Sequence, residues 1–95
     1  MGKIRRLVLD TLKPHAPSII EMADRLSELE AISAVNISIY EMDRKVENAK
    51  ITIEGEDISY SLVLEVIEEM GGAVHSIDEV VAGKMIIDDA VTLQD

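Results

Sequence analysis

Apolar and polar residues alternate through residues 3–12, with Leu7 and Leu9 on one face and Arg6, Val8 and Asp10 on the other. A period of two marks a strand, here buried on one face and partly on the other. Lys13-Pro14-His15-Ala16-Pro17 should break it, because proline fixes φ and removes a backbone donor. Ser18 and Glu21 then form an S-x-x-E capping box. The period changes to that of a helix. Ile19, Ile20, Ala23, Leu26 and Leu29 (or Ala31) fall on one side, and Glu21, Asp24, Arg25 and Glu28 on the other.

Alternation returns over residues 34–42, where Val35, Ile37 and Ile39 oppose Asn36, Ser38 and Tyr40. After a charged turn at Asp43-Arg44-Lys45 it resumes over 46–54, with Ala49, Ile51 and Ile53 against Lys50, Thr52 and Glu54. Gly55-Glu56-Asp57 is the next break, with Asp57 as the expected N-cap. The second helix is expected to bury Ile58, Leu62, Val66 and Met70, with help from Val63 and Ile67. It should stop at Gly71-Gly72. A last strand over 73–82 runs through Val74, Ile77 and Val80-Val81 to a break at Gly83, and Met85-Ile86-Ile87 is one more short apolar piece.

The order is strand, helix, strand, strand, helix, strand: two βαβ halves of about 40 residues each. Right-handed crossovers then predict an α+β, ferredoxin-like sandwich. Its four-stranded antiparallel sheet has the order 4-1-3-2, with both helices on one face. Residues 1–87 form the expected domain, including the apolar C-terminal piece, and residues 88–95 a polar tail.

Composition excludes several chemistries. The chain has 95 residues, enough for one domain, and 47% of them are apolar. With no cysteine there is no disulfide, thiolate metal site, Cys nucleophile or iron–sulfur cluster. A net charge of −10 with only two aromatics, both Tyr, makes a poor nucleic-acid binder. No apolar run exceeds three residues, so no span of a membrane is expected. The basic start, Lys3, Arg5 and Arg6, leads into no long apolar stretch and is no signal peptide. The cytoplasm is the expected location.

The open face of such a sheet would carry Arg6, Asp10, Asn36, Ser38, Tyr40, Lys50, Thr52 and Glu54. It is either a solvated face with ion pairs such as Arg6 with Glu54, or a face covered by another subunit or a ligand. Strand four, with Val80 and Val81, has little edge charge and suits pairing with another chain. Met85, Ile86 and Ile87 are expected to pack on a neighbour. Charge is also uneven: residues 1–13 carry +3 and residues 14–95 carry −13. Either nearby acids neutralise this basic start within the chain, or Arg5 and Arg6 dock onto acids of the next subunit, such as Glu65, Glu68 and Glu69.

Signals for a reaction are sparse. No phosphate loop, nucleophile–base pair or acid–base pair is visible, so an enzyme is not expected, nor any cofactor. The imidazoles are His15, in the proline loop, and His75, which opens strand four ahead of Asp78 and Glu79. In a regular strand 75 and 79 share a face and 78 does not. Acids flank two turns (Glu41, Asp43, Glu47; Glu54, Glu56, Asp57) and recur at Asp88 and Asp89. None has EF-hand spacing. A weak divalent-cation site shared between subunits is the sharper expectation, and a solvated acidic turn the plainer one.

Several stretches form a recognisable set: Leu7-Val8-Leu9-Asp10-Thr11-Leu12-Lys13-Pro14-His15, Leu26-Ser27-Glu28-Leu29, Val35-Asn36-Ile37, Glu47-Asn48-Ala49-Lys50-Ile51-Thr52-Ile53, and Gly71 through Gly83. Across residues 3–85 the chain resembles the archaeal domain-of-unknown-function family 211. The resemblance implies a ferredoxin-like fold and closed rings of six or seven subunits. It implies no activity. It directs attention to Asp10 and His15, and to His75, Asp78 and Glu79, as candidate ligand-binding residues. Other users of this fold match less well: copper chaperones need Cys-x-x-Cys, and acylphosphatases a phosphate loop with Arg. The expected function is a non-enzymatic, ring-forming binding or regulatory module. The alternative is a small-molecule or divalent-cation sensor with sites at subunit boundaries.

Overall fold

A computed structural model describes residues 2–87. The elements are β1 (Ile4–Pro14), α1 (Ile19–Ser27), β2 (Ile32–Met42), β3 (Val46–Gly55), α2 (Tyr60–Glu69) and β4 (Ala73–Ala82). The strands form one antiparallel sheet in the order β2-β3-β1-β4, which is the ferredoxin-like arrangement. The expected polar tail, with Asp88 and Asp89, lies outside the described residues.

Alternation places Leu7 and Leu9 of β1 and Ala49, Ile51 and Ile53 of β3 on the face that the helices cover. There they pack with Met22, Leu26, Ile58, Val63, Val66 and Ile67. The register is regular from Arg6 opposite Glu54 to Pro14 opposite Val46. β1 thus outlasts the break expected at Lys13. Pro14 is tolerated because pairing with β4 has already ended, at Leu12 opposite Ala73, so its missing N–H is not needed there.

The helix phases differ from the expected ones. In α1 the capping box forms as read, with Ser18 Oγ accepting from Glu21 N at 3.2 Å and Glu21 Oε1 accepting from Ser18 N at 3.1 Å. The core face, however, is Met22 and Leu26, both fully buried, and Ile20 is 78% exposed. The stripe Ile19, Met22, Leu26, Leu29 keeps the i, i+3, i+7 spacing of a single helix face, which Ile20 leaves. In α2 the cap is Ser59, whose Oγ accepts from Leu62 N at 3.3 Å, and not Asp57. Ile58 then precedes the cap and is buried with Val63, as in a hydrophobic staple. This phase turns Val63, Val66 and Ile67 inward and leaves Leu62 48% exposed.

One glycine is demanded by a close approach. A Cβ on Gly55 would lie 2.0 Å from the Ala31 carbonyl oxygen, which accepts from Glu56 N at 2.9 Å. This contact ties the end of β3 to the start of β2. No helix among the described residues is long and apolar enough to cross a membrane.

Candidate functional site

The sequence-derived candidates fall into three places. The first is the end of β1 beside the β2–β3 turn. Lys13 follows Leu9 and Thr11 on the helix-covered face and is only 1% exposed. The β1–β3 register puts Glu47 opposite it. Lys13 Nζ donates to Glu47 Oε1 at 2.9 Å and to the Pro14 carbonyl at 2.7 Å. His15 contributes Nδ1, 2.9 Å from Glu47 Oε2, and Nε2, 3.0 Å from the Arg44 carbonyl. Both partners of the ring can only accept, so the geometry is that of an imidazolium donating from both nitrogens. The bond to Glu47 and then that to Arg44 hold His15 above its ordinary 6.5. Lys13 and then His15 hold the Glu47 carboxyl below its usual range. Asp43 closes the turn by accepting from the N–H groups of Lys45 and Val46, each at 2.8 Å, and those bonds lower its pKa.

In this geometry neither nitrogen of His15 offers a lone pair to a metal or a proton. Glu47 and Asp43, expected as solvated or cation-binding acids of a turn, are engaged by Lys13, His15 and the turn backbone. The cluster clamps the β2–β3 turn onto the end of β1. Its pH dependence has a definite sign. Because the folded pKa of His15 is raised, its stabilisation is complete below about pH 6.5 and lost as pH rises through the folded value. Melting temperatures of wild type should therefore fall over the pH range just above 6.5. His15→Gln should flatten that slope.

The second place is the open face of the sheet. Arg6 donates to Glu54 at 2.8 Å and to Glu79 at 3.1 Å, which joins β3, β1 and β4 in one charged row. The Tyr40 hydroxyl donates to Asp10, and that bond raises the tyrosine's pKa. Asn36, Ser38, Lys50, Thr52 and Glu54 line a shallow cleft of about 520 Å³ on this face. Val8, 6% exposed, and Val81, 7% exposed, lie outside the helix-side core cluster. Val81 sits opposite Arg6. The face is thus one with ion pairs, and Glu79 belongs to it.

The third place is β4 itself. Its register against β1 shifts at His75 and again at Asp78. The simple alternation that would set His75 and Glu79 on one face is interrupted twice. Instead, Ser76 and Glu79 oppose Asp10 and Val8. Asp78 accepts from the Ser76 hydroxyl at 2.7 Å, and His75 is exposed. The five candidates are therefore not one site: His15 is at the turn, Asp10 and Glu79 are on the open face, and His75 and Asp78 are at the bulges. Among the described residues no three His, Asp or Glu side chains converge as a metal site.

The basic start of the chain is also engaged internally. Arg5 donates from Nε to the Gly55 carbonyl and from Nη1 to the Lys84 carbonyl, both at 3.1 Å, and its Nη2 lies 3.4 Å from Glu56.

A six-element ferredoxin-like sandwich with a clamped turn and a polar open face is the class of protein that these features define. Residues 5–95 match the model of the DUF211 family, described as an uncharacterised ArCR group, and the chain belongs to that family. It is 54% identical over 95 residues to the uncharacterised protein MJ0319 of the archaeon Methanocaldococcus jannaschii, a match covering 100% of this chain and 98% of that protein.

Proposed function

We propose that the chain is a non-enzymatic building block of a closed ring that serves as a binding or regulatory module. The supporting observation is a pair of different apolar surfaces at opposite sides of the sheet. On the β4 side, Ile77 is 47% exposed, Val80 51%, and Met85 and Ile87 each 66%. On the β2 side, Ile20, Ala23 and Val35 line a groove of about 540 Å³ between α1 and the sheet. Two unlike surfaces that cover each other join copies head to tail, and such contacts close into rings when the rotation allows. The intrachain bonds of Arg5 and Arg6 leave these apolar edges as the stronger basis for assembly. A chain of this size also gains from the added burial.

Light scattering coupled to size exclusion tests the reading. Wild type should elute at a small multiple of 10.5 kDa. Val80→Glu and Ile20→Glu, both at exposed positions, should keep the fold by circular dichroism yet shift the mass toward that of one chain. Wild type at single-chain mass at micromolar concentration would overturn the proposal.

A further inference from the structure

Where the chain enters β1 and leaves β4, Gly83 N donates to the Lys3 carbonyl at 2.8 Å. Beside this bond is a hollow of about 560 Å³ lined by Gly2, Lys3, Arg5, Gly83 and Lys84. Three of its five residues carry positive charge, in a chain whose net charge is −10. The cleft on the open face sets Lys50 against Glu54, and the α1 groove carries Glu21 and Asp24 without a base.

Arg5 is a fixed wall of this hollow, held by the carbonyls of Gly55 and Lys84. Its contact with Glu56, at 3.4 Å, is the longest of its bonds, and the Glu56 side chain is 72% exposed. Lys3 and Lys84 are exposed and make no ion pair among the described residues. The floor is bare backbone. A Cβ on Gly2 would sit 3.6 Å from Gly83 N, and Gly83 has φ +131, which other residues rarely adopt.

We infer that this hollow binds a small phosphorylated molecule. Three cations less the Glu56 carboxylate leave two positive charges, which match the roughly −1.5 to −2 of a phosphate monoester. Ammonium groups serve as point-charge partners of phosphate oxygens. No aromatic side chain lines the hollow, so recognition falls on the phosphate and not on a stacked base. Its volume suits a ligand larger than one bare phosphate, within the range of about 300–1,000 Å³ typical of small-molecule sites.

The test is calorimetric titration of the full chain with sodium pyrophosphate, compared with sodium malonate at matched ionic strength. Pyrophosphate should bind saturably. Lys3→Glu and Lys84→Glu should each weaken it by about tenfold or more, and Lys45→Glu, in the β2–β3 turn, should not. Glu56→Gln should tighten binding by releasing Arg5, an effect that a purely structural role would not give. Light scattering on the same variants reports assembly separately from binding. No saturable heat at millimolar pyrophosphate, equal loss in Lys45→Glu, malonate binding as tight as pyrophosphate, or weaker binding by Glu56→Gln would each overturn the inference.

Discussion

Glu47→Gln is expected to be the most damaging single substitution in the turn clamp, because it strands the Lys13 ammonium. The Lys13 side chain has no exposed surface, and it would keep the Pro14 carbonyl and a neutral amide oxygen but no counter-charge. Breaking a buried ion pair from one side costs roughly 3–5 kcal/mol, whereas replacing the whole pair by apolar groups is often neutral. The same logic predicts that Lys13→Met in the Glu47→Gln background restores most of the lost stability. Urea unfolding of the wild type, the single variant and the double variant measures both steps. A silent Glu47→Gln would mean that water reaches the Lys13 ammonium.

Gly55→Ala should rival it in size for a different reason. The added Cβ would meet the Ala31 carbonyl at 2.0 Å and Ile32 Cα at 3.1 Å. Both obstacles are backbone, and neither can rotate away as a side chain would. Ala31 has φ 73 and its carbonyl is bonded to Glu56 N, so relief requires moving a turn that is already constrained. Overpacking costs about 1–3 kcal/mol and sometimes more, and this contact belongs at the upper end. Urea unfolding should show a lower midpoint with an unchanged slope. Gly83→Ala should be milder, since nothing lies within 4 Å of its Cβ and only the backbone angle opposes it.

The fold is readable because the two middle strands alternate cleanly and two glycines end the second helix. Even the register was within reach. Setting Arg6 opposite Glu54 continues, residue by residue, to Lys13 opposite Glu47. The clamp is hidden in the sequence because Pro14 looks like the end of a strand and a lysine is ordinarily exposed. His15 stands out in the sequence, but its partner Glu47 is one acid among several around a turn. The phase of α1 is ambiguous in the sequence because Ile20 and Met22 are both apolar, and only the spacing from Leu26 decides between them. The contact of Tyr40 with Asp10 is invisible to local pattern, since β3 lies between their strands. The bulges at His75 and Asp78 leave no mark in composition at all, and they alone dispersed the β4 candidates. The basic hollow joins residues from the first and last strands, far apart in sequence, and needs the β1–β4 pairing to exist.

Those two bulges bear on how copies of the chain can add to one another. An edge strand offers a neighbour a ladder of donors and acceptors, and a regular ladder invites further chains without limit. On β4 the spacing of that ladder is broken twice, at His75 near the start of its pairing with β1 and at Asp78 midway along it. A second strand could zip along only a few residues before losing step. Growth by continuous sheet extension is thereby discouraged. The proposed ring, which counts its members and stops, is compatible with such an edge, whereas a fibre built by strand addition is not.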